Sequence, residues 1–128
     1  MSIIANDDAR EVPWRPGYRS YVLANKEHGI STSASMGVIE PGAGAPLHFH
    51  HDVDEIILVL QGTLDFRLGD ERRLVGPNHT ISIPARTPHG FTVVGEAPAR
   101  IVGFMNGQGA FLAATYLDGA PPTGASQK

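Results

Sequence analysis

Between residues 18 and 106 the chain never runs far without a glycine or a proline. The 15 glycines and 10 prolines of its 128 residues are spread at intervals, and no window in this stretch keeps a helical apolar period. What remains between the breaks are short runs rich in β-branched and aromatic residues, the signature of strands joined by turns. Such runs are expected at 18–24, 30–40, 47–51, 55–60, 63–68, 71–75, 80–84, 89–94 and 100–104. In the run 63–68, Leu64, Phe66 and Leu68 share one side and Thr63, Asp65 and Arg67 the other, as in a sheet with one packed and one wetter face. Many short strands with no helices between them must become a sandwich or a barrel. The chain order does not by itself decide which. The segment 107–117 is the best candidate for a short terminal helix.

The length suits one domain with a modest core. Residues 1–17 are expected to form an N-terminal arm at a dimer interface, 18–117 the barrel, and 118–128 a flexible tail. The formal net charge of −3 and the lack of any basic run argue against a nucleic-acid partner. No stretch has the length and apolarity of a membrane span or an export signal, so a cytoplasmic location is expected. The chain has no cysteine, which excludes disulfides and thiolate ligands and leaves histidine and carboxylate as the strong metal-binding side chains.

Four of these side chains form a pattern. An extended backbone over 47–51 sends His48 and His50 to one face, about 6 to 7 Å apart at their roots, close enough to converge on one cation. After the turn Asp52-Val53-Asp54, Glu55 opens an otherwise apolar strand, where an ionised carboxylate is costly unless paired or bound to metal. His89 follows the stiff turn Pro84-Ala85-Arg86-Thr87-Pro88 and completes the set if the fold brings it across. The competing reading is a surface histidine pair beside an acidic turn, with His89 a packed core residue. His51 should point outward, and His28 and His79 sit in turns.

At this point the sequence resembles the cupin superfamily. The first motif of that family runs from a glycine through five residues to His-x-His, then three or four residues, glutamate, six residues and glycine. Here it is Gly42, AGAPL, His48-Phe49-His50, HDVD, Glu55, IILVLQ and Gly62. The second motif is matched with departures: Gly76 is displaced, Arg86 stands where glycine is usual, and Val93 replaces asparagine after Pro84 and His89. The resemblance covers about 18–106. It implies a cupin-type double-stranded β-helix, that is, a jelly-roll barrel. It also implies one divalent metal ion per chain (Fe, Mn, Ni, Co or Zn) held by His48, His50, Glu55 and His89, and a homodimer. The nearest likeness is to small single-domain proteins related to quercetin dioxygenase.

An all-histidine-and-carboxylate site leaves exchangeable positions on the cation. Met36, Val38, Ile57, Val59, Phe66, Phe91, Phe104 and Met105 are candidate pocket residues, each equally readable as core. Few polar groups are expected near the metal, which favours a small aromatic or enol-like substrate bound through oxygen. A dioxygenase-type oxidoreductase is therefore expected, with Glu55 as ligand or proton acceptor. Without a redox metal, the same chemistry suits an isomerase, cyclase or lyase. A non-catalytic, metal-containing small-molecule binding protein is the alternative of a different class. Trp14 and Tyr18 are expected to gate the entrance or to bury an interface.

Overall fold

The computed structural model describes residues 1–128. Eleven strands form in chain order: β1 (Arg10–Arg15), β2 (Tyr18–Ala24), β3 (Ser33–Ile39), β4 (Gly44–His50), β5 (Glu55–Gln61), β6 (Thr63–Leu68), β7 (Glu71–Val75), β8 (Thr80–Ile83), β9 (His89–Val94), β10 (Ala99–Met105) and β11 (Ala114–Tyr116). They assemble into a six-stranded sheet, β1-β2-β3-β10-β5-β8, and a five-stranded sheet, β11-β4-β9-β6-β7. The alternation read in 63–68 holds, since Leu64 and Phe66 are buried and Arg67 is exposed.

The expected barrel does not form. Neither sheet closes, and each keeps two edges: β1 and β8 in one, β11 and β7 in the other. The edge sequences explain this. β1 contains Pro13, which has no N–H to give a ladder, β8 lies between Pro77 and Pro84, and β7 opens with Glu71-Arg72-Arg73. Proline and charge are the ordinary means of stopping a sheet from adding another strand. The jelly-roll barrel is thus corrected to two open sheets packed face to face.

The expected terminal helix is also absent. Residues 107–113 form a loop, and β11 follows. Gly109 takes φ +68°, a left-handed conformation that stops a helix, and the Ala110 carbonyl accepts a hydrogen bond from the His50 ring instead of from a helical amide. Helices elsewhere are limited to three-residue 3-10 turns at Asn6–Asp8, Lys26–His28 and Ala125–Gln127. No helix is long and apolar enough to cross a membrane.

The main core fills one end of the space between the sheets. Ile39, Leu64, Val93 and Ala99 there are at most 1% exposed, and Phe66 stacks on Phe91 with centroids 5.8 Å apart. The isoleucine, leucine and valine side chains among these each contribute about 1.5–3 kcal/mol by leaving water. A smaller cluster of Val12, Trp14 and Val22 sits under β1 and β2. The opposite end of the inter-sheet space is where the histidines lie.

Candidate metal centre

Pairing places the histidines together. His48 on β4 lies directly opposite His89 on β9, and their neighbours across β4 are Ala114, paired with His50, and Tyr116, paired with His48. Directly opposed residues share a face, so His48, His50 and His89 all point inward; none is more than 5% exposed. Glu55 comes from the other sheet, at the start of β5. The turn after His51 therefore carries the chain from one sheet to the other, and the site bridges them.

That crossing is pinned by Asp54. Its carboxylate accepts a hydrogen bond from the Ala85 amide (2.9 Å), its own amide donates to the Asn106 side chain (3.1 Å), and the Arg86 amide donates to the His50 carbonyl (2.6 Å). Asp54 thus ties the turn that delivers Glu55 to the turn that delivers His89. Sequence reading assigned it no role beyond turning the chain. Arg86 stands in the left-handed region at φ +67°, which is why glycine suits that position better.

Each imidazole is oriented through its Nδ1. His48 reaches the Pro46 carbonyl at 2.7 Å, His50 the Ala110 carbonyl at 3.0 Å and His89 the Thr87 carbonyl at 2.9 Å. A carbonyl only accepts, so each Nδ1 carries the proton and each Nε2 presents a lone pair. One ring nitrogen from each histidine lies within 4.8 Å of the others. The Nε2 atoms of His50 and His89 are buried with no hydrogen-bond partner. Glu55 Oε1 lies 3.1 Å from His89 Nε2 and 3.7 Å from His50 Nε2, so acceptors face acceptors.

Electrostatics sharpens the point. Burial pushes the His48 imidazolium down to about 4 and that of His50 downward as well, so these rings resist protons. Burial alone would raise the Glu55 carboxyl, but positive charge held at His89, and less so at His50 and His48, outweighs it and lowers it. A carboxylate that calls for positive charge, beside His48 and His50 rings that resist protonation, suits a cation. Orphaned buried lone pairs of this kind are costly unless something fills them. The buried three-histidine cluster can therefore ligate a metal ion.

These features match a known pattern. The family pattern described as Cupin domain covers residues 35–105, more than half of the chain. The chain belongs to the cupins. Within that family, this cupin is 30% identical over 84 residues to an uncharacterized protein of Methanocaldococcus jannaschii, spanning 66% of this chain and 67% of that one. It is 38% identical over 71 residues to quercetin 2,3-dioxygenase of Bacillus subtilis, covering 56% of this chain but 21% of that enzyme. Among solved structures, KdgF from Halomonas sp. superposes with a TM-score of 0.72 at 24% identity, covering 83% of this cupin and 94% of that chain, which is a likeness of fold.

A partly open cavity lies against the cluster, lined by His48, Glu55 and His89 together with Trp14, Arg15, Tyr18, Phe111, Tyr116 and Lys128. Of the pocket residues expected from sequence, Ile57 and Phe91 line it, and Met105 lines an adjoining cavity that Glu55 also borders. Val59 and Phe66 belong to the main core. Met36, Val38 and Phe104 are on the other side of the sheet: Met36 pairs with Val102 and Phe104 with Ile56, out of phase with the inward Gly37 and Gly103. The helix-free alternation of β3 and β10 decides this, and an apolar side chain is equally at home on either face.

The cavity also contains residues that no motif marked. Tyr116 stacks on His48 with centroids 5.1 Å apart and planes 12° from parallel, and Phe111 meets both His50 and Trp14 edge-on. Arg15, Phe111, Tyr116 and Lys128 come from chain ends and a loop outside the matched region, where spacing carries no information about the site. Trp14 and Tyr18 face this cavity as well.

Proposed function

We propose that this cupin is a metal-dependent enzyme of dioxygenase type, acting on a small aromatic or enol-like molecule. The observation that carries this reading is the convergence of three Nδ1-tethered imidazoles, the Nε2 atoms of His50 and His89 bare, beside Glu55 at the floor of an aromatic-lined cavity. His48, His50, His89 and Glu55 would hold one divalent cation, of iron, manganese, nickel, cobalt or zinc. When bound, that cation supplies Lewis acidity toward an enol or phenol oxygen and, if redox-active, a path for electrons to O₂. The backbone carbonyls of Pro46, Ala110 and Thr87 keep the rings aimed before any ligand arrives, so little reorganisation is needed. Glu55 is the group placed to take a substrate proton, provided the proton comes within about 3 Å of its carboxylate. Trp14, Tyr18, Phe91 and Phe111 hold the substrate body away from water. The 38% identity to quercetin 2,3-dioxygenase over the motif region supports the choice of reaction type.

The same reading includes a homodimer. The outer face of the six-stranded sheet presents Ile56, Leu58, Leu60, Val102 and Phe104 side by side, three of them at least 36% exposed, a patch of the kind that marks an interface.

Metal analysis of protein purified without chelator, compared with His48→Ala and Glu55→Ala, tests the site. Near-stoichiometric metal lost in both variants, with oxygen uptake on a flavonol, catechol or diketone, is the expected result. Negligible metal in parent and variants alike, even after reconstitution, would refute the reading.

A further inference from the structure

Ten lysines and arginines occur in the chain, and eight of them are exposed; the two that are partly buried are Arg15 and Lys128. Both line the cavity above the histidine cluster, one from the end of β1 and the other from the 118–128 segment. Chance placement of surface charge does not select the only two sheltered cations for one cavity. Neither has a carboxylate within ion-pairing distance, whereas Arg10, Arg19, Arg72 and Arg73 all do.

Their partners are aromatic rings. The Arg15 guanidinium lies 5.6 Å from the Tyr116 centroid, and Lys128 Nζ lies 3.9 Å from the Trp14 ring and 4.9 Å from that of Phe111. Cation–π contact compensates a buried charge only partly. Arg15 Nε is in addition buried with no hydrogen-bond acceptor, a donor that costs free energy until something accepts from it. The only acidic side chain lining the cavity is that of Glu55, and its carboxylate faces the histidines.

We propose that Arg15 and Lys128 form an anion subsite that takes the carboxylate of a small organic acid whose apolar, unsaturated body lies along Trp14 and Phe111 toward the histidine cluster. This rests on reading that cluster as the reactive end of the cavity. It also changes the substrate class expected from sequence, where few polar groups were anticipated near the metal. The planar fork of Arg15 suits a carboxylate, and charge-assisted bonds of this type are the strong ones. Burial lowers the Lys128 ammonium to about 7, so an anion bound beside it near neutral pH would draw a proton onto the amine.

The test is a titration of the full chain with benzoate and with its neutral isostere benzamide, metal-free and after zinc loading. Binding is read by calorimetry and by the fluorescence of Trp14, the single tryptophan. Benzoate should bind at least about tenfold more tightly than benzamide. Arg15→Gln and Lys128→Gln should each remove most of that preference while leaving benzamide affinity within about twofold, and Arg15→Lys should keep part of it, with thermal melts confirming folding. Equal affinities, a preference that survives in both glutamine variants, or no binding of either probe would overturn the subsite. Zinc calorimetry on the same samples separates the two readings: zinc bound without a benzoate preference sinks the subsite alone, and an Arg15-dependent preference without zinc binding sinks the metal centre alone.

Discussion

Replacing Glu55 by glutamine should make the metal-free protein more stable and its metal complex weaker. In the metal-free chain the Glu55 carboxylate, 8% exposed, faces the unprotonated Nε2 of His89 at 3.1 Å and that of His50 at 3.7 Å. A glutamine amide at the same place donates an N–H to one of these lone pairs. That exchanges a contact between acceptors for a hydrogen bond worth about 1 kcal/mol, besides removing a buried charge. For a domain of this size, 1 kcal/mol moves the Tm by about 3–5 °C. The metal-bound form should respond in the opposite sense. At a free metal concentration of about 100 times the parent Kd, binding adds ~2.7 kcal/mol, or roughly 10 °C. Losing an anionic ligand should weaken binding by at least the tenfold to hundredfold that removal of an outer-shell partner costs. At a hundredfold loss, the same metal concentration adds only about 0.4 kcal/mol, or about 2 °C. The assay is a thermal melt of both proteins, chelated and then saturated with zinc. A lower chelated Tm for Glu55→Gln, together with an unchanged zinc-induced rise, would show that Glu55 is a structural acid and would refute this account of the site.

Other outcomes follow from single features. Arg86→Gly should raise the Tm by a few degrees, because it relieves a left-handed backbone at φ +67° that costs a non-glycine residue about 1 kcal/mol or more; a lower Tm would mean that the arginine side chain compensates. Acid should destabilise the metal-free protein as pH falls from about 6.5 toward 4. Burial holds the folded His48 pKa at about 4 against 6.5, so the unfolded state binds more protons in that window, and stability of up to ~3 kcal/mol, present above it, is lost on descending. Denaturant melts across that range check this, and a flat profile would contradict it. If the protein forms the proposed dimer, Phe104→Glu, on the outer sheet face beside Ile56, should convert it to monomer in light scattering without lowering metal content; an unchanged dimer mass would remove this face as the interface.

Much of the site was legible along the chain because its ligands obey local rules. The period of two in β4 puts His48 and His50 on one face, and an acid that opens the apolar run of β5 must be satisfied indoors. Strands bounded by glycine and proline were legible for the same reason: 63–68, 71–75 and 89–94 occur at the expected limits. Burial, by contrast, was a poor guide to the pocket. Met36 is 7% exposed yet faces away from the cavity, because a long side chain in the middle of a wide sheet is covered by its neighbours on either face.

The sequence by itself determined an all-β chain with four candidate ligands, since strand period, turn chemistry and the cost of a buried charge act over a few residues. Only tertiary structure decided the rest. Whether the sheet closes depends on edges meeting across the molecule, and proline on β1, charge on β7 and the prolines flanking β8 leave them open. The protonated face of each imidazole depends on which carbonyl lies beside it, one of them Ala110, which is 60 residues from His50. Arg15 and Lys128, 113 positions apart in number, reach one cavity only through packing. Charges that far apart along a chain become neighbours when the fold brings both, partly sheltered, to one cavity.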